Sequence, residues 1–387
     1  MSRAFDNQTG GHGGDLVRAA RQWNPAGGEL LDFSSNVNPL GPPSGLIEYL
    51  SETLTEIVNY PSPQARELRE DLAFFLDVPL RQLLLGNGAN ELIHLLILWH
   101  RPRRVLVPAP AFSEYERAAV LAGSLVERYP LRPGEHIDPV FLESRLEQGD
   151  WLVICNPSNP TGMLHQRCDL LKLLAAAEKR DASVMIDESF IPLSGRPEES
   201  LRDRQNAKLW VVISLTKLWA LPGLRLGCLI GPESEVEKLT RWGDPWRVNI
   251  LAQAAGTYCL EKKDYLAETL DLIEKERNFL SIKFKETGCF RVFNSAANFL
   301  LVQGTDPAFN VAAFQDYLAR RGVLIRRADN FYGLDQSYFR VAVLKRANNL
   351  RLIRETEHYL RSSQYCKVAA EKNSKTGTGD SAGGDRT

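Results

Sequence analysis

The chain lacks most of the features that would tie it to a membrane, a nucleic acid or an oxidised compartment. No apolar run approaches the ~18 residues that cross a bilayer. The longest, Leu92-Ile-His-Leu-Leu-Ile-Leu-Trp99, is broken by His94 and reads as a buried helix. The first residues, Met1-Ser-Arg-Ala-Phe-Asp, carry no apolar signal core. Neither charge sign is in excess: 47 basic side chains face 48 acidic ones, for a net charge of −1. Nothing in that balance asks for a nucleic-acid or membrane-surface partner. Six cysteines are scattered at 155, 168, 228, 259, 289 and 366 with no Cys-x-x-Cys pair. They read as small, mostly buried hydrophobes in a reducing compartment, with neither bridges nor metal sites expected. The expected location is the cytoplasm.

What is present is an ordinary globular composition, 44% hydrophobic over 387 residues. Such a length suits two or three units of ~150 residues, or one large domain and a smaller one. Residues 1–30, with Gly10-Gly-His-Gly-Gly14, read as a flexible arm or lid. From about 60 to 250, near-continuous apolar runs alternate with helical periodicity. The runs are Arg104–Pro108, Trp151–Cys155, Ser183–Asp187, Leu209–Leu215 and Arg225–Ile230. This pattern predicts an α/β fold with a mostly parallel sheet covered on both faces. A long charged helix over 264–287 opens a second α/β unit. It carries strands at Ala297–Val302, Val323–Arg327 and Tyr338–Val343, and helices at Val311–Arg321 and Asn348–Leu360. The expected division is an N-terminal arm with part of the small domain (1–45), a large domain (46–260), a small domain (261–362) and a disordered tail (363–387).

Four motifs carry chemistry. Ser214-Leu-Thr-Lys217 places a lysine at the end of a buried strand, with Arg225 following in Pro-Gly-Leu-Arg-Leu-Gly. A lysine so placed suits Schiff-base attachment of a carbonyl cofactor, with Ser214 and Arg225 gripping an attached phosphate. Leu85-Gly-Asn-Gly-Ala-Asn-Glu91 is a glycine-rich turn opening a helix near Asn90, whose backbone N–H groups, at Gly88, Ala89 and Asn90, favour a phosphate. Cys155-Asn-Pro-Ser-Asn-Pro-Thr-Gly162 is stiffened by its prolines and offers the Asn159 amide to a ring hydroxyl. In Met185-Ile-Asp-Glu-Ser-Phe190, Asp187 ends a buried strand, where an unpaired carboxylate would be costly and a pyridinium N–H would repay it.

These four elements, in this order, resemble the fold-type I pyridoxal 5'-phosphate enzymes of the class I/II aminotransferase superfamily over roughly residues 10–360. The resemblance implies a large domain with a mostly parallel central sheet, a smaller α/β domain, and a homodimer with its active sites at the interface. It implies that Lys217 bonds the cofactor, that Asp187 keeps the ring nitrogen protonated, and that Thr216 joins the phosphate grip. Tyr60, in Asn-Tyr-Pro, would reach the partner subunit's cofactor phosphate. Phe112, in Pro-Ala-Phe-Ser-Glu-Tyr115, would stack on the ring.

Within the superfamily the chain is similar to the branch of histidinol-phosphate aminotransferases and threonine-phosphate decarboxylases. His12-Gly-Gly-Asp, Asp32-Phe-Ser-Ser-Asn-Val-Asn-Pro-Leu-Gly41, Trp246-Arg-Val-Asn249, Leu324–Asp335 and Tyr338–Ala342 resemble the decarboxylases. Phe190 stands where the aminotransferases usually carry a tyrosine. The expected reaction is decarboxylation of L-threonine O-3-phosphate for cobalamin biosynthesis, with phosphoserine a possible substrate. Arg326, Arg340, His12, Asn36 and Asn159 are the expected substrate contacts. A 2-oxoglutarate-dependent histidinol-phosphate aminotransferase is the alternative. A non-catalytic regulator is a further one, disfavoured by the intact Lys217 and Asp187.

Overall fold

The computed structural model describes residues 13–23 and 28–363. A short strand, β1 (Leu31–Asp32), leads into the chain's first half. The central sheet follows, built from β2 (Leu83–Gly86), β3 (Arg104–Ala109), β4 (Leu125–Pro130), β5 (Trp151–Cys155), β6 (Ser183–Asp187), β7 (Leu209–Ser214) and β8 (Gly227–Ile230). Its strand order is β2-β8-β7-β6-β5-β3-β4. Neighbours from β7 to β4 run parallel, and β8 alone is reversed against both β7 and β2.

The apolar runs are near-continuous because both faces of this sheet are covered. Leu152, Ile154, Val184, Ile186, Val211 and Ile213 enter one core. The residues between them, Val153, Cys155, Met185, Trp210 and Val212, enter the other. Side chains alternate across a strand, so two dry faces require an apolar residue at every position.

The second unit is smaller. Helix Tyr265–Glu286 precedes β9 (Phe290–Val292) and β10 (Phe299–Gly304). Then come β11 (Val323–Leu324), β12 (Arg326–Arg327) and β13 (Tyr338–Ala342). An antiparallel sheet of order β12-β13-β10-β9 packs on an aromatic core of Phe284, Phe290, Phe309, Phe314 and Phe339. The Phe314 and Phe339 ring centroids lie 5.2 Å apart.

Three expectations need correction. Val323–Arg327 is not one strand. Its first half, β11, pairs in parallel with β1, and its second half, β12, pairs with β13, with Ile325 buried at the changeover. Residues 16–23, read as part of a flexible arm, form a helix (Leu16–Trp23). Asp15 caps it by accepting from the Arg18 N–H at 3.0 Å, Ala19 packs against Ala319 and Leu324, and the Trp23 Nε1–H donates to Asp316 at 2.9 Å. Cys155, Cys168, Cys228 and Cys259 are free thiols, but Cys289 is disulfide-bonded, where all six were read as reduced. No helix among the described residues is long and apolar enough to cross a membrane.

Candidate active site

The carboxyl ends of the parallel strands and the edge of the small sheet enclose a cavity of about 850 Å³. This is the position at which open α/β sheets place ligands. Lys217 enters from the one-turn helix Leu215–Leu218 that closes β7. Burial, and then the nearby Arg340 and Arg225, push its ammonium down to about 8, against the opposing pull of Asp187 and Asp32. The turn is held from behind: the Asn38 N–H donates to the Lys217 carbonyl at 3.2 Å, and the Asn38 side-chain amide donates to the Leu218 carbonyl at 2.7 Å.

Asp187 ends β6 and is buried. One carboxylate oxygen accepts the Ser189 N–H at 2.9 Å, and the other accepts the Tyr115 hydroxyl at 2.5 Å. Each oxygen keeps a lone pair, and the carboxylate lines the cavity. Phe112, at the cap of helix Ser113–Leu121, forms a further wall.

A candidate anion cradle is built largely of backbone. Gly88 caps helix Ala89–His100 with φ +83, and a Cβ there would lie 2.4 Å from an Arg225 nitrogen. A Cβ on Gly227 would lie 2.5 Å from the Ala89 nitrogen, so two backbones meet where any side chain would part them. Arg225 itself holds φ +61, a conformation that costs a bulky residue energy and concentrates at ligand sites. The hydroxyls of Ser214 and Thr216 lie 2.8 Å apart at the same mouth, and both line the cavity. Asn90 Oδ1 is buried without a hydrogen-bond partner. These groups fit a phosphorylated planar heterocycle: an anion cradle at a helix N-terminus, a flat aromatic wall, a carboxylate opposite and an amine poised near neutrality.

The other side of the cavity is cationic. Arg326 and Arg340 are cross-strand partners in β12 and β13, and both line the cavity. The Arg340 Nη1–H donates to Asn159 Oδ1, and its Nη2–H donates to the Ser34 carbonyl at 2.9 Å. Because arginine only donates, this bond fixes the Asn159 side chain with its NH₂ group still available to a ligand. Arg340 Nε is buried and unpartnered. Burial lowers Arg326 to about 10 and Arg340 to about 9, with Arg326 itself the second cause for Arg340. Asn36 also lines the cavity, and its Oδ1 is buried without a partner.

The structure therefore brings together Ala89, Asn90, Phe112, Asn159, Asp187, Ser214, Thr216, Lys217, Arg225, Asn36, Arg326 and Arg340, with Gly88 packed on Arg225. Tyr60 lies apart from the cavity lining: it is 81% exposed and its ring sits 5.0 Å from that of Trp246. His12 lies outside the described residues. Sequence reasoning missed Tyr115 and Asn38, although both stand inside motifs that had been singled out. A buried tyrosine three residues after Phe112 reads as core, and an asparagine before a proline reads as turn.

Fold and cavity together define a ligand-binding α/β enzyme of two units. The chain belongs to the aminotransferase class I and II family, whose model matches residues 28–355. It is similar to the threonine-phosphate decarboxylase of Salmonella typhimurium, 33% identical over 354 residues that cover 88% of this chain and 94% of that one. It is also similar to an adenosylcobalamin biosynthesis bifunctional protein of Leptospira interrogans, 27% identical over 88% of this chain and 40% of that one. Among solved structures, a histidinol-phosphate aminotransferase from Clostridium acetobutylicum superposes with a TM-score of 0.80 at 31% identity, over 86% of this chain and 100% of that one.

Proposed function

We propose that this chain decarboxylates L-threonine O-3-phosphate to (R)-1-amino-2-propanol phosphate for the cobalamin side chain, with pyridoxal 5'-phosphate as cofactor. Kinship with the Salmonella and Leptospira proteins supports that substrate and pathway. One observation carries the anion subsite. Two guanidinium groups are held in register at the cavity wall, and among the described residues neither has a carboxylate within ion-pair distance. Like charges placed directly across a sheet repel, so this pair asks for a bound dianion.

Residues follow in roles. Lys217 would hold the cofactor by its carbonyl group, and its amine, poised near neutrality, can take and return a proton at Nζ. Gly88, Ala89, Asn90, Ser214, Thr216 and Arg225 hold its phosphate. Phe112 would face the ring, Asp187 would serve its nitrogen, and the Asn159 amide would serve its oxygen. When bound, the cofactor supplies an electron sink for the carbanion left by the departing bond. Arg326 and Arg340, with Asn36 and His12, bind the substrate phosphate. Holding the substrate by its phosphate would leave its α-carboxylate, the group that decarboxylation releases, without an arginine to retain it. Phe190 is buried edge-on to Phe299, with ring centroids 5.0 Å apart, and offers no hydroxyl to the ring oxygen.

The active unit in this reading is a homodimer. Tyr60 is exposed beside Ile57, Val58 and Trp246, an apolar group suited to burial against a second copy, where Tyr60 would reach the partner's cofactor phosphate. The reading has no place for nucleic acid or membrane and keeps the cytoplasm as the location, which the free thiols of Cys155, Cys228 and Cys259 suit and the Cys289 disulfide does not.

The test is one preparation assayed three ways. CO₂ release from threonine phosphate without a keto acid supports the proposal. Turnover of histidinol phosphate that requires 2-oxoglutarate, with no CO₂ from threonine phosphate, overturns it. Phosphoserine lacks one methyl group, a difference of about 1–3 kcal/mol, so slower turnover of it is expected.

A further inference from the structure

Helix Ser113–Leu121 begins at the cavity wall. Phe112, at its cap, and Tyr115, three residues on, lie on one face of its first turn. The two rings meet edge-on, with centroids 5.6 Å apart and planes at 83°. Tyr115 is 1% exposed, and its hydroxyl lies 2.5 Å from Asp187 Oδ2. An ionised carboxylate only accepts, so the phenol is the donor. Burial, and then the adjacent Asp187, push the phenol's ionisation well above its ordinary value, so it remains a donor across the working pH range. Three groups face this pair. Ser189 donates its N–H to the other Asp187 oxygen at 2.9 Å; the Cys155 thiol, in register with Asp187 on β5, meets the Tyr115 hydroxyl and donates to the Pro157 carbonyl at 3.3 Å; and the Lys217 amine is coupled electrostatically to Asp187.

We propose that Tyr115 is a positioning residue that sets the basicity of Asp187 and, through it, how fully the cofactor's ring nitrogen is protonated. This rests on reading the cavity as a pyridoxal phosphate site. A charge-assisted hydrogen bond stabilises the carboxylate and makes it a weaker base. The shared proton then stays on the ring nitrogen, where it draws electrons from the reacting carbon. Without the phenol the carboxylate is more basic, and the proton moves from nitrogen toward Asp187 Oδ2. The same side chain braces Phe112, so the carboxylate and the stacking wall are set by one turn of helix.

The experiment uses the holoenzyme loaded with ¹⁵N-ring-labelled pyridoxal phosphate. In Tyr115→Phe the ring-nitrogen resonance is expected to move toward the unprotonated position. The kcat is expected to fall about tenfold, with KM little changed. Tyr129→Phe is the control. Tyr129 is equally buried and donates its hydroxyl to the Val153 carbonyl at 2.8 Å, away from Asp187. That control should lose thermal stability while leaving the resonance in place. If Tyr115→Phe does not fold, Tyr115→His replaces it. An imidazole donor changes strength as it titrates, so the resonance should become pH-dependent near ~6.5. A resonance and kcat unchanged in Tyr115→Phe, or a pH-independent resonance in Tyr115→His, overturns the proposal. A wild-type protein that takes up no pyridoxal phosphate overturns the underlying reading instead.

Discussion

Lys217 is useful because its surroundings withhold a proton from it. Its ionisation is lowered by burial first and by Arg340 and Arg225 next, to about 8. The linkage has a sign. A lysine whose folded value lies below its unfolded one contributes stability above about pH 10.5 and forfeits it as pH falls through about 8. The cofactor-free protein at neutral pH therefore holds an unwelcome charge. Lys217→Met should raise the melting temperature of the cofactor-free protein at about pH 7, and the gain should shrink toward about pH 10. Lys217→Ala should abolish turnover and remove the cofactor mass that borohydride otherwise fixes to the Lys217 peptide. Asp187→Ala should cut kcat by orders of magnitude with the far-ultraviolet circular dichroism unchanged. Lys217, Asp187 and Arg225, which line one cavity, were singled out in the sequence by their own chemistry. Tyr115 was not, because an aromatic residue buried in a helix is indistinguishable by pattern from core packing. Tyr60 was legible only through family resemblance, and its place on the single chain is the surface.

Elements carry the next level of argument. The central strands were legible because each is apolar at every position, a pattern that two covered faces demand. The break at Ile325 was not. A five-residue apolar and basic run gives no local sign that its halves pair with different strands, since the change of partner is decided by β1 and β13. Helix Leu16–Trp23 was missed for a related reason: its burial depends on Ala319 and Leu324, some three hundred positions away. At the end of β6 the alternation sends Asp187 to the cavity and Glu188 to the interior. There Glu188 accepts the Ser200 hydroxyl and, at 2.9 Å, the Leu201 N–H. Burial pushes this carboxyl up to about 7. Its stabilising contribution is thus complete below about pH 4.5 and is lost as pH rises through about 7. Glu188→Gln should out-melt the parent at about pH 8, and the advantage should vanish by about pH 5, as read by thermal melts at both. In the small sheet, Phe339→Ala would empty the centre of the aromatic core and cost about 3–5 kcal/mol, measurable in denaturant.

For the whole molecule, the question is whether one chain suffices. Ile57, Val58, Tyr60 and Trp246 are large apolar side chains that stand exposed on the single chain, the Tyr60 and Trp246 rings 5.0 Å apart. If Tyr60 serves the partner's site, two inactive variants should complement each other. Mixing Lys217→Ala with a Tyr60→Ala variant, after subunit exchange, should recover part of the activity. Each mixed pair then holds one site with its lysine and the partner's tyrosine both intact. No recovery, despite a mixed dimer seen by native mass spectrometry, would place Tyr60 in its own chain's service.

β1 joins β11, and the Ala342 N–H donates to the Phe33 carbonyl at 2.9 Å. The cationic wall that faces Lys217 is thus stitched from the two ends of the polypeptide. During translation the half that grips the coenzyme can assemble early. The half that carries Arg326 and Arg340 must wait until the ribosome has passed position 342, and domains generally mature in that order. A nascent chain therefore presents Lys217 before the guanidinium wall opposite it exists.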